Sequence, residues 1–237
     1  MTDTPDPALH LAPGRFVDSG APSIRAYADE RAGEGDDIER ARRLYYAVRD
    51  DLRYDPYNVV YTPDAFTASG TLASGRGFCV TKAAVLAAAA RAAGIPARLG
   101  YADVRNHLAT PRLIEQMGTD LFIFHGYTDL WLDGRWVTAT PAFNLELCTK
   151  FGVLPLEFDG REDSVFHPFD AKGQRHMEYV RDRGTYADVP FDEIMVEFRT
   201  LYPGFGIDGG AEGGDFAAEA EAAQGVEAPG HPICVSV

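Results

Sequence analysis

The stretch Val80 to Ala93 constrains this chain more than any other. Alanine dominates it with eight of fourteen residues, it stops at Gly94 and Pro96, and it is entered through Gly75-Arg76-Gly77-Phe78-Cys79. Alanine is the strongest helix former, glycine ends a helix in the left-handed conformation, and proline forbids its continuation, so the composition predicts a helix over 80–93. A glycine-rich turn then delivers one thiol, Cys79, to the first turn. Unpaired N–H groups and the positive end of the macrodipole at such a position favour a thiolate, which predicts a lowered thiol pKa and a nucleophile.

A cysteine nucleophile needs a base, and the segment Phe122 to Val137 offers one. Asp133-Gly134 tolerates positive φ at both turn positions, and its flanks are rich in Phe, Ile, Trp, Leu and Val, so 122–137 reads as a hairpin. His125 lies on its incoming strand. A rigid sheet is a suitable mounting for a catalytic imidazole, which must be held within about 3–4 Å of its partner.

Three blocks together resemble the transglutaminase-like cysteine enzymes of the papain-type superfamily. They are the cysteine turn Gly75 to Ala83, the element Arg91-Ala92-Ala93-Gly94-Ile95-Pro96-Ala97-Arg98-Leu99, and the hairpin His125 to Val137; the likeness spans residues 38–145. The resemblance implies an α+β fold with a papain-like core, in which the nucleophile helix packs on an antiparallel sheet. It also implies Cys79 as nucleophile and His125 as base. The family's third residue is an aspartate just after the second hairpin strand, where this chain has Thr140. A threonine hydroxyl can accept a hydrogen bond from the imidazole but brings no charge. Asn144 is the other candidate, by analogy with the Cys-His-Asn arrangement on the papain fold. Asp129 lies four residues beyond His125 on the same strand, about 13 Å away at ~3.3 Å per residue, so contact would need a bulge.

Composition narrows the function. A formal net charge of −14 and a pI near 4.8 argue against nucleic acid or an anionic membrane as partner, because both would be repelled. The first residues lack the basic and apolar regions of a signal peptide, so a cytoplasmic location is expected, while the family resemblance implies a bacterial protein. Cys79, Cys148 and Cys234 are widely spread, a poor disulfide framework, and the histidines His107, His125, His167 and His176 are scattered, so neither metal nor other cofactor is expected.

The organisation expected is a lead-in over 1–35, a transglutaminase-like domain over 36–205 with its core at 38–145 and an extension at 146–205, and an acidic tail over 206–237. Asp36 or Asp37 caps a helix whose Ile38, Ala41, Tyr45, Val48 and Leu52 form one stripe. Residues 71–75 read as an approach loop to Cys79, 97–104 as a strand, 111–117 as a short helix, 176–182 as helix-like and 192–201 as a helix docking on the core. His167 and Asp170 read as turn caps, and His107 and His176 as surface residues. Residues 208–237 hold six acidic residues and no Lys or Arg, which predicts disorder.

The chemistry expected is thiol-mediated acyl transfer, most simply hydrolysis of an amide or peptide bond in a peptide or protein substrate. Three alternatives stay open: a protein cross-linking transglutaminase, a catalytically silent transglutaminase-like binding module, and an accessory protein that recruits a partner through its acidic tail.

Overall fold

The computed structural model describes residues 6–107, 109–165, 177–207 and 213–224. In chain order these form α1 (Pro22–Ala32), α2 (Asp37–Asp51), β1 (Arg53–Tyr54), α3 (Ala68–Ser74), β2 (Arg76–Gly77), α4 (Cys79–Ala92), β3 (Ala97–Asn106), α5 (Pro111–Met117), β4 (Leu121–Leu132), β5 (Arg135–Ala139), α6 (Leu145–Phe151), β6 (Met177–Tyr186), α7 (Phe191–Leu201) and α8 (Phe216–Gln224). Strands β5-β4-β3-β6 make one antiparallel sheet in that spatial order, while β1 and β2 pair in parallel as a short two-stranded element.

Helix α4 is the centre of the molecule. Every residue from Val80 to Arg91 is buried, because α1, α2 and α3 surround it on one side and β3 and β4 cover the other. Alanine suits that place for packing as well as propensity, since small side chains let five elements approach one axis. Two polar side chains fasten it. Thr128 Oγ1 on β4 donates to the carbonyl of Ala83 at 2.9 Å, and Lys82 Nζ donates to the carbonyls of Arg49 and Leu52 at the end of α2, at 2.9 and 2.6 Å. The α+β architecture, with the cysteine helix on an antiparallel sheet, agrees with the expectation.

Local signals mostly act as read. Asp36 caps α2 with a reciprocal capping box to Glu39, and the Asp133-Gly134 turn has φ of +49° and +80°, the geometry that matches strand twist in a two-residue hairpin. Three stretches differ. Residues 71–75 are not a loop: Thr67 accepts from the Gly70 amide and Gly75 adopts a left-handed φ, so capping residues at both ends close the short helix α3. The stretch read as helix-like around 176–182 is strand β6 from Met177 onward, since it pairs with β3 over Leu99 to Asn106, a partner 80 residues away that no local pattern announces. Within the expected acidic tail, 216–224 is helix α8. Its Phe216, Ala217 and Ala220 are buried, with Phe216 against Tyr54, Tyr57 and Phe151. One apolar side outweighs the low aromatic content that predicted disorder.

His167, Asp170, His176 and Cys234 lie outside the described residues. His107 is exposed, 3.5 Å from Glu178. No described helix is long and apolar enough to cross a membrane.

Candidate active site

Cys79 is the first residue of α4, and the turn before it is held by that same helix. Thr81 Oγ1 accepts from the Phe78 amide at 3.2 Å, and a β-carbon on Gly77 would lie 2.5 Å from that hydroxyl, so the turn closes because Gly77 has none. The residue is half-buried and borders a cavity. Burial pushes its thiol up to about 11, although the backbone N–H groups of Gly126, Val80 and Cys79 itself donate toward the sulfur and pull the other way. The lowered pKa expected from a helix start is therefore not met. Desolvation of the charged form outweighs the three dipoles.

His125 owes its direction to an irregularity in β4. Ala102 pairs with His125 but Val104 pairs with Phe122, so β4 spends three residues where β3 spends two. The extra residue is accommodated at Phe124, which takes φ +54°, a β-bulge of the kind that re-aims the next side chain. Asp103 holds the bulge: its Oδ1 accepts from the Phe124 amide at 3.2 Å and also from Arg183 Nε. Arg183 in turn binds both carboxylate oxygens of Glu197 on α7, at 2.8 and 2.6 Å, and lays its guanidinium over the Phe124 ring at 4.0 Å. On the other side Tyr202 Oη accepts from the Ile123 amide at 2.7 Å and donates to the Leu121 carbonyl.

The structure brings Cys79 and His125 to the wall of the same cavity, whose other lining includes Tyr54, Tyr61, Phe78, Ile123, Phe143 and Tyr202. His125 is buried, 5% exposed, with Tyr179 of β6 edge-on to its ring at 6.5 Å.

The candidates for the orienting group separate from one another. Thr140 is buried, its amide donates to the Ser164 carbonyl, and its Oγ1 has no hydrogen-bond partner among the described residues. Asn144 Oδ1 accepts from the Tyr54 amide at 3.0 Å, tying α6 to β1. Asp129 is occupied elsewhere, with Arg98 at 3.0 Å and Thr138 Oγ1 at 2.7 Å; the bulge that contact with His125 would need sits on the opposite side of the histidine. Cys148 is buried in α6. Among the described residues no group of three His, Cys, Asp or Glu is arranged to hold a metal ion.

Sequence reasoning missed Gly126, Asp103 and Arg183. A glycine directly after a strand histidine is a visible signal of close backbone approach. Asp103 and Arg183 belong to β3 and β6, and nothing in sequence pairs them.

No curated protein matches the sequence. Among the solved structures to which the chain is similar are a "putative cysteine protease" from Cytophaga hutchinsonii, 17% identical with a TM-score of 0.46 over 78% of this chain and 48% of that one, and a "putative protease" from Parabacteroides distasonis, 17% identical with a TM-score of 0.38 over 58% and 27%. The chain thus spans about half or less of the length of these structures. Residues 25–141 match the model of the transglutaminase-like superfamily. That span begins in α1, runs through the cysteine helix and both strands of the histidine hairpin, and ends one residue past Thr140, so over just under half of its length this chain is similar to the transglutaminase-like superfamily.

Proposed function

We propose that the protein is a cysteine-dependent amide or peptide hydrolase, with Cys79 as nucleophile and His125 as general base. The observation that carries this reading is the placement of both side chains on the wall of one cavity, with the sulfur at the start of a helix and three backbone N–H groups turned toward it. Because burial raises the thiol pKa, the proton leaves as attack proceeds. Cys79 Sγ bonds to the substrate carbonyl carbon while its proton passes to His125, and the backbone N–H of Cys79 stabilises the oxyanion. The C–N bond then breaks, His125 returns the proton to the departing amine, and a thioester remains. Water, deprotonated by His125, attacks the thioester; the carboxylate leaves and the thiol is restored.

Hydrolysis is favoured over cross-linking because the sequence contains no Asp-rich loop of the calcium-binding kind. A catalytically silent binding module is the second reading, and a specific observation favours it: Thr140 stands where the family has a carboxylate, and its hydroxyl bonds to nothing described.

Intact-protein mass spectrometry with 4-nitrophenyl esters and 4-nitroanilides separates the two. The enzyme gains the mass of the acyl group on Cys79 and releases it on standing, and Cys79→Ala does neither. No adduct and no nitrophenol release from the parent would leave the silent module.

A further inference from the structure

The wall that Cys79 and His125 share is chemically one-sided. Val59, Val104, Leu113, Met117, Phe122 and Ile123 are among its lining, and among the described lining residues polar side chains belong to Tyr54, Tyr61, Tyr202, Asn106, Cys79 and His125. No Asp, Glu, Lys or Arg is among the described residues lining it. Charge is present nearby but kept out. Asp103 and Arg183 are spent on each other and on Glu197, and beyond Phe78 a neighbouring depression carries the Asp55–Arg76 ion pair at 3.2 Å.

We propose that the acyl group delivered to Cys79 carries an uncharged apolar side chain, aliphatic or aromatic, which seats in this cavity while its carbonyl lies at the thiol. The inference deepens the hydrolase reading and, as far as it concerns acyl transfer, rests on it. A charged side chain placed there would lose its hydration and find no counter-charge on the wall, whereas each methylene leaving water gains affinity. Selectivity therefore comes from exclusion of charge as much as from apolar contact.

Two measurements test this, and they fail separately. In the first, 4-nitrophenyl acetate, butyrate, hexanoate, hemisuccinate and 4-aminobutyrate are compared for acylation of Cys79, each rate divided by that with a free thiol. The expected result is a rise of about fourfold per methylene, the equivalent of about 0.8 kcal/mol, with hemisuccinate and 4-aminobutyrate at or below acetate. Val59→Lys, at a half-buried position of the wall, should raise hemisuccinate relative to hexanoate.

The second needs no turnover. Alkylation of Cys79 by iodoacetamide is followed with hexanamide, phenylacetamide or succinamate present, and the two uncharged amides should slow it severalfold while succinamate does not. Equal protection by charged and uncharged amides, or protection by none, overturns the proposal. Selective protection without ester turnover would leave the cavity assignment standing and remove the hydrolase reading instead.

Discussion

Gly126 stands so close to the start of α4 that a β-carbon on it would lie 2.9 Å from Val80 Cα and 3.1 Å from the Cys79 carbonyl oxygen. The same residue turns its amide toward the Cys79 sulfur and immediately follows His125. One glycine thus sets the distance between the strand carrying His125 and the helix carrying Cys79. Gly126→Ala must push two backbones apart, which side-chain rotation cannot relieve. The expected outcome is a stability loss of about 1–3 kcal/mol and acylation of Cys79 slowed about 100-fold, read by denaturant unfolding and by ester kinetics. An alanine variant with parental kinetics would show that the contact is not what positions the pair.

Thr140→Val asks whether the Thr140 hydroxyl is used. Its Oγ1 has no partner among the described residues, so removing it should leave stability unchanged or raise it by up to about 1 kcal/mol. Acylation should stay within about threefold of the parent, because no hydrogen bond of that hydroxyl is lost. A 100-fold loss would instead show that the hydroxyl reaches the imidazole once substrate binds.

Asp103→Asn tests the support beneath the bulge. It removes the charge facing Arg183, a side chain 5% exposed that keeps only Glu197 as carboxylate partner, and it weakens the acceptor for the Phe124 amide. A loss of about 3 kcal/mol is expected, the lower end of what breaking a buried pair costs. Acylation should fall at least tenfold even in conditions where the variant is fully folded, since Phe124 no longer aims His125. If folded protein retains parental rates, the bulge holds without Asp103.

Lys82 gives the protein a pH-dependent stability of definite sign. Burial pushes its amine down to about 7, while the unfolded chain keeps the ordinary value of about 10.4. From pH ~7 upward the unfolded state therefore holds more protons, and stability rises with pH by at most about 1.4 kcal/mol per unit. Cys79, raised to about 11, acts oppositely, but only above its unfolded value of about 8.5. Urea midpoints should thus climb between pH ~7 and ~8.5. Lys82→Met should flatten that slope and lower stability at every pH in the window, because the carbonyls of Arg49 and Leu52 lose their donor.

Phe216→Ala probes the docking of α8. Phe216 is 2% exposed among Tyr54, Tyr57 and Phe151, and the helix is further held by Asp215 to Arg53 at 2.7 Å and Glu219 to Arg112 at 2.9 Å. Losing the ring should cost about 3 kcal/mol of local stability and speed amide hydrogen exchange over 216–224 selectively. Unchanged exchange there would mean the ion pairs alone hold the helix.

Local chemistry in the sequence settled a definite part of this molecule. The alanine run, Gly94 and Pro96 determine α4 and put Cys79 at its start; Asp133-Gly134 determines the hairpin and puts His125 on its first strand. Both are short-range effects, decided by propensity and turn geometry within a few residues. What tertiary structure decided is how these parts act on one another. The thiol pKa is raised rather than lowered because neighbouring elements desolvate it more than its own helix start can offset, and that depends on everything packed around α4. His125 points into the cavity through a bulge held by Asp103 and Arg183, which meet only because β6 pairs with β3 across some 80 residues. Helix α8 forms because Phe216 finds a waiting aromatic pocket. Backbone propensity acts at short range and is legible in a string of residues, whereas burial and long-range pairing have no counterpart until the chain has closed on itself.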